Sequence, residues 1–146
     1  MAKNKNNQTI WSKRIKKNSS ILFRELGSSI NVDKRLFRED IRGSISHVEM
    51  LCRQKIISSK IKNKIVKGLN KIKKEISQKK FIFNKKYEDI HMNIEKRLFQ
   101  LIGEDAGFIH TARSRNDQVL VDFKLWMVEA SEKIVKEIDL TSKFCS

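Results

Sequence analysis

Apolar residues recur along this chain at helical spacing. Leu36, Ile41, Ile45, Val48 and Leu51 or Cys52 fall near one face of a helix predicted over 33–53. Ile61, Ile65, Leu69, Ile72 and Ile76 line a second over 59–77, with lysines on the rest of its surface. Ile90, Ile94, Leu98 and Leu101 or Ile102 mark a third over 88–102. From Ser114 onward, Val119, Phe123, Trp126 or Met127, Ala130, Ile134 and Ile138 carry a helix of at least about six turns. End signals agree with these boundaries. Asp33 is placed to cap the first helix and Ser58 or Ser59 the second. Glu88 and Asp89 open the third, where the helix dipole favours acids, and Gly103 suits its C-terminal end. Ser114 and Asp117 have capping-box spacing. Between these helices GEDAGFIHTAR, residues 103–113, breaks the period and reads as a loop. Gly43 lies inside the first helix at a cost of about 1 kcal/mol against alanine. A close neighbouring helix would explain it, and so would compositional drift. Residues 1–19 are polar, basic and aperiodic, and read as a loose arm with Trp11 docking on the body.

Composition narrows the class. Among 146 residues there is no proline and only five glycines, which disfavours many-turned β-sandwiches and barrels. Hydrophobic residues at 39% leave enough to build a core, so wholesale disorder is excluded. The expectation is an all-α, soluble, basic protein. No apolar run approaches the roughly 18 residues of a membrane span, and the amino end has no signal-peptide core. Cys52 and Cys145 form neither a disulfide framework nor a metal-ligand spacing. A cytoplasmic setting with no membrane partner follows as the expectation.

The formal charge of +15 is uneven. Residues 53–86 hold 13 basic groups and 1 acidic group. A nucleic-acid or acidic surface would use such a block through counterion release. The block contains one arginine, Arg53, and its aromatics Phe81, Phe83 and Tyr87 cluster at its end. Without interleaved stacking groups a solvated lysine face is favoured, and nucleic acid is an unlikely partner.

Candidate chemistry concentrates in His110-Thr111-Ala112-Arg113-Ser114-Arg115-Asn116-Asp117-Gln118, where a loop meets the long helix. A helix amino end offers free N–H groups and partial positive charge. Two arginines, an asparagine, hydroxyls and a histidine beside it suit a small molecule bearing carboxylates. Loop and capping chemistry is the plainer alternative. His91 beside Asp89 could hold a supporting hydrogen bond, and His47 reads as structural.

The run from Glu88 to Trp126, EDIHMNIEKRLFQLIGEDAGFIHTARSRNDQVLVDFKLW, strongly resembles argininosuccinate lyase. The resemblance extends back through GSSINVDKRLFREDIRGSISHVEML and covers roughly residues 20–139. It implies the all-α fold of the fumarase and aspartase lyases. Residues 20–111 would be an N-terminal helical domain, and 112–146 the first long helix of a central bundle that is truncated here. It implies a homotetramer, no metal or organic cofactor, and β-elimination of argininosuccinate to arginine and fumarate in arginine biosynthesis. By position, Ser29, Arg113, Ser114, Arg115 and Asn116 match substrate-binding positions. Asp89, His91, His110 and Thr111 match residues lining the site.

Some family features are replaced or absent. The early W-G-G-R-F motif appears as Trp11-Ser12-Lys13-Arg14-Ile15, and Gly27 replaces the asparagine of N-x-S-I. The family's T-x-H-x-Q segment and its G-S-S-x-M-P-x-K-x-N loop, carriers of the catalytic histidine and serine, are absent. No catalytic residue is therefore assigned, and the expectation is an N-terminal portion inactive by itself. Its other conceivable partners are a full-length lyase or a separately encoded remainder.

Overall fold

A computed structural model describes residues 27–144, and every regular element in that span is helical. The basic arm, Trp11 and the Trp11–Ile15 motif lie outside the described residues. Helix α1 (Ile30–Asp33) leads through a 3-10 turn, Lys34–Leu36, into α2 (Phe37–Arg53). Helices α3 (Ser59–Ser77) and α4 (Ile90–Ile102) follow. A 3-10 segment, Gly103–His110, precedes α5 (Arg115–Phe144).

Apolar periodicity produces the core as expected for α2, α3 and α4. Ile41, Val48, Leu51, Ile65, Leu69, Ile72, Ile90, Ile94 and Leu98 are buried in one cluster. Helix α3 packs between α2 and α4, and α2 also carries α5. Gly68 permits the α3–α4 approach, since a Cβ there would stand 2.5 Å from Leu98 Cδ1. Gly43 performs the same service for α5: its Cβ would lie 3.4 Å from Asp122 Oδ1. The bidentate pair of Arg97 with Glu75, at 2.8 and 2.9 Å, ties α4 to the end of α3.

Two local expectations need correction. The first long helix begins at Phe37, and Asp33 does not cap it. The Asp33 carboxylate instead accepts hydrogen bonds from Ser29 Oγ and from the backbone N–H of Ile90, stitching α1 to the start of α4. The span expected as a loop is wound into 3-10 turns over Gly103–His110, because Ala106 and Ile109 need burial against the body. The apolar row of the last helix is largely exposed. From Ser131 to Phe144 every side chain of α5 is exposed. At 30 residues α5 extends about 45 Å, well beyond the helices it packs on.

Other end signals act as read. Ser58 Oγ, not that of Ser59, accepts from Ile61 N at 3.2 Å. Asp89 caps α4 by accepting from Met92 N at 2.6 Å. Ser114 and Asp117 form the reciprocal box: Asp117 N donates to Ser114 Oγ and Ser114 N to Asp117 Oδ2, each at 3.1 Å. Gly103 closes α4 with φ +73°.

Candidate functional site

The site is assembled where three chain segments converge on the amino end of α5. The first is the turn before α1. Ser29 N donates to Glu88 O at 2.8 Å, which places Ser29 beside the acidic entry to α4. The second is α4, which supplies Asp89, His91 and Glu95. The third is the bend from His110 to Ser114, where Ala112 takes φ +53° and turns the chain into α5. That left-handed conformation is strained for alanine, and it aims Arg113 and Arg115 back at the body.

Arg115 is the hub. Its Nη2 pairs with Glu95 Oε1, and its Nη1 donates to Gln118 Oε1 at 2.7 Å. Its Nε stands 3.5 Å from Asp89 Oδ2. Glu95 Oε1 also pairs with His110 Nε2. Burial works against ionisation of Glu95, but the contacts with His110 and Arg115 outweigh it and hold this carboxyl below its usual range. Arg113 turns inward and donates from Nη1 to Ser44 Oγ of α2 at 3.1 Å. Both guanidinium groups are therefore engaged within the protein, which makes them organisers of the site more than free anion clamps. Asn116 and Ser114 stand exposed at the first turn of α5. The N–H groups of Arg115 and Asn116 point outward there, without acceptors inside the helix. Thr111 is half-buried, and its carbonyl meets His47 Nε2 at 3.0 Å, so His47 is structural as expected. The structure thus brings Ser29, Asp89, His110, Arg115 and Asn116 to one end of the molecule.

His91 does not support Asp89. It is buried, and its Nδ1 stands 3.1 Å from Asp40 Oδ1 of α2 and 3.4 Å from Asp122 Oδ2 of α5. Its ring N–H is aimed squarely at neither carboxylate. Burial disfavours the imidazolium, yet the carboxylates of Asp40, Asp89 and Asp122 prevail and raise the His91 pKa above its ordinary value. Burial and the like charge of Asp40 push Asp122 up to about 7. Burial also opposes ionisation of Asp40, but His91, Gln118 and Arg113 keep its carboxyl below the usual range. Ligand-type atoms of these three residues lie within 4.8 Å of one another, a grouping that no spacing in the sequence signals.

Asp40 and Asp122 lie outside the candidate residues read from the sequence, whereas Gln118 ends the candidate string. The one available signal was the presence of polar residues on the helix face that α2 must bury. A separate cavity of about 600 Å3, lined in part by Phe81, Tyr87, Lys96 and Arg97, shares no side chain with the arginine cluster.

A family profile described as lyase matches residues 13–143. An argininosuccinate lyase of Pelagibacter ubique (strain HTCC1062) is 68% identical over 139 residues, covering 95% of this chain and 30% of that protein. An argininosuccinate lyase of Bartonella bacilliformis (strain ATCC 35685 / KC583 / Herrer 020/F12,63) is 49% identical over 138 residues, 94% of this chain and 30% of that protein. The chain thus spans about 30% of the length of these curated relatives.

Proposed function

The chain belongs to the lyase family, and from that premise we propose that the amino end of α5 is a carboxylate-binding part of an argininosuccinate lyase site. The observation that carries this reading is the convergence on Arg115. Asp89, Glu95 and Gln118 fix its guanidinium, and the same scaffold presents Ser29, Ser114 and Asn116. The free N–H groups at the start of α5 and the Asn116 amide suit the carboxylates of argininosuccinate and can stabilise charge that develops on them during elimination. Asn116 and Ser29 touch substrate. Arg113 and Arg115 hold the frame, and His110 acts through Glu95.

Elimination also requires a base beside the carbon acid and an acid at the departing nitrogen. The histidines near this site are already committed, His91 to buried carboxylates and His110 to Glu95. Our reading is therefore that this chain binds and does not turn over. Titration of the full chain with argininosuccinate, followed by amide chemical shifts, is expected to perturb Ser29 and residues 114–117, and Asn116→Ala is expected to abolish the shifts. Fumarate release, followed by its absorbance, is expected to stay at background. Absence of binding would overturn the site assignment. Turnover lost in Asn116→Ala would overturn the division between binding and chemistry.

A second reading concerns partners. Phe123, Met127, Ile134, Val135 and Ile138 are each more than 45% exposed on α5, and no helix among the described residues is long and apolar enough to cross a membrane. Apolar surface of this extent favours helix–helix association. We infer a homo-oligomer or a lyase partner packed along α5, in a cytoplasmic setting. Phe123→Asp is expected to shift sedimentation toward monomer. An unchanged distribution would refute this reading.

A further inference from the structure

Helix α5 buries only Gln118 and Asp122, at 1% and 0% exposure, where it crosses the body. Both are polar. Hydrophobic burial therefore does little to hold α5 down, and apart from the exposed Arg42–Glu129 pair at 3.1 Å its attachment to α2 rests on what these two side chains meet. Gln118 Nε2 donates to Asp40 Oδ1. Asp122 faces His91 and Asp40, and neither of its carboxylate oxygens has a hydrogen-bond donor. Oδ2 of Asp40 and Oε2 of buried Glu39 are likewise without partners.

A buried carboxylate with no donor is costly unless it is neutral or faces a cation. The charged groups acting on this cluster are known from every element around it. Asp33 of α1 and Asp89 on α4 itself act on His91. From α2 come Asp40 and Glu39, and from α5 Asp122. The guanidinium of Arg113 approaches from the bend before α5, and that of Arg115 stands 3.5 Å from Asp89. Acids outnumber fixed cations, so with a neutral imidazole the cluster would hold uncompensated negative charge.

We propose that Asp40, His91 and Asp122 form a proton-operated latch: a proton held among them fastens the first turns of α5 to α2 and α4, and its loss releases those turns. The latch leads directly to the site. Asp40 holds Gln118, and Gln118 holds Arg115, so release of α5 frees Arg115 from its frame. The inference stands whichever ligand that frame receives. Its sign follows from the groups involved. His91 and Asp122 both carry raised pKa values, so their contribution is present at low pH and is lost as pH rises through about 7 and above.

Amide hydrogen exchange of the full chain tests this, with rates corrected for the intrinsic effect of pH. Between pH 6 and pH 9, protection of residues 118–130 is expected to fall by at least about tenfold, the factor carried by one unit of displaced titration. Protection of α3 and α4 should hold. Asp122→Asn removes one of the two groups with raised pKa values while keeping its size, and is expected to reduce the pH dependence severalfold, the remainder belonging to His91 facing Asp40. His91→Gln, which keeps a neutral hydrogen-bonding side chain, is expected to leave α5 poorly protected at both pH values. Constant protection of 118–130 across the range would overturn the proposal. Retention of the full pH dependence in Asp122→Asn would do the same. Stoichiometric Zn2+ binding that restores protection at pH 9 and is lost in Asp122→Asn would make a cation, not a proton, the occupant, and would also overturn it.

Discussion

Gly68→Ala isolates the closest packing in the fold. Alanine is favoured over glycine within a helix by about 1 kcal/mol, so at an exposed position this change would stabilise α3. Gly68 is buried, and the new Cβ would lie 2.5 Å from Leu98 Cδ1 and 3.4 Å from Ile102 Cγ2. Ordinary carbon contacts are about 3.5–4.0 Å, so Leu98 must retreat by roughly 1 Å. Leu98 is at 0% exposure, enclosed by the cluster that contains Ile65, Leu69 and Ile94. Overpacking a closed site costs about 1–3 kcal/mol, and full enclosure places this case in the upper part of that range. The net expectation is a loss of about 1–2 kcal/mol. For a chain of this size each kcal/mol shifts the thermal midpoint by about 3–4 °C, a fall readily followed by circular dichroism at 222 nm.

The double-mutant cycle makes the test specific. Leu98→Ala alone should cost about 2–5 kcal/mol through its cavity. In that background the added methyl has space, so Gly68→Ala should become stabilising by about 1 kcal/mol or more. If Gly68→Ala instead raises the midpoint equally in both backgrounds, α3 and α4 do not touch at this point and the reasoning fails.

Other expectations follow from the same geometry. Asp117→Ala removes the carboxylate that accepts from Ser114 N and Oγ while leaving the residue 117 N–H on Ser114 Oγ, and should cost up to about 1 kcal/mol, read as a lower urea midpoint with an unchanged m-value. Ala112→Gly relieves the φ of +53° and should be neutral to stabilising by up to about 1 kcal/mol; a clear loss of stability would show that the bend is not strained. Asp40 and Glu95 carry depressed pKa values, so their contribution is present above the ordinary carboxylate range and is lost as pH falls through their folded values. Unfolding followed between pH 5 and pH 2 should show that loss, blunted in Glu95→Gln. The lysine-rich 53–86 surface should bind nucleic acid only weakly, with binding gone by physiological salt; tight binding that persists there would refute its reading as a solvated face.

Much of the fold was legible because its causes are local. Periods such as Ile61, Ile65, Leu69, Ile72 fix which face of a helix must leave water, and α3 buries that face. Caps act within one turn, so Ser58, Asp89 and the Ser114–Asp117 box could be read from spacing. The HTARSRNDQ string was legible as the junction of a loop with the long helix, and α5 begins there at Arg115. The same reading placed Asp33 as a cap, whereas the partner that claims it, Ile90 N, lies 57 positions away in sequence.

What the chain determined by itself is helix type, most boundaries, the inner faces of α2, α3 and α4, and the family to which it belongs. Tertiary structure alone decided how α5 is held. The surface it meets on α2 and α4 is carboxylate and imidazole, so Gln118 and Asp122 turn inward and the apolar side chains remain outside. Packing also decided which partners the arginines meet, Glu95 and Asp89 for Arg115 and Ser44 for Arg113. Such pairings depend on which distant side chains share a buried volume. Burial sets the cost of each charge, and a one-dimensional pattern contains no record of that partner.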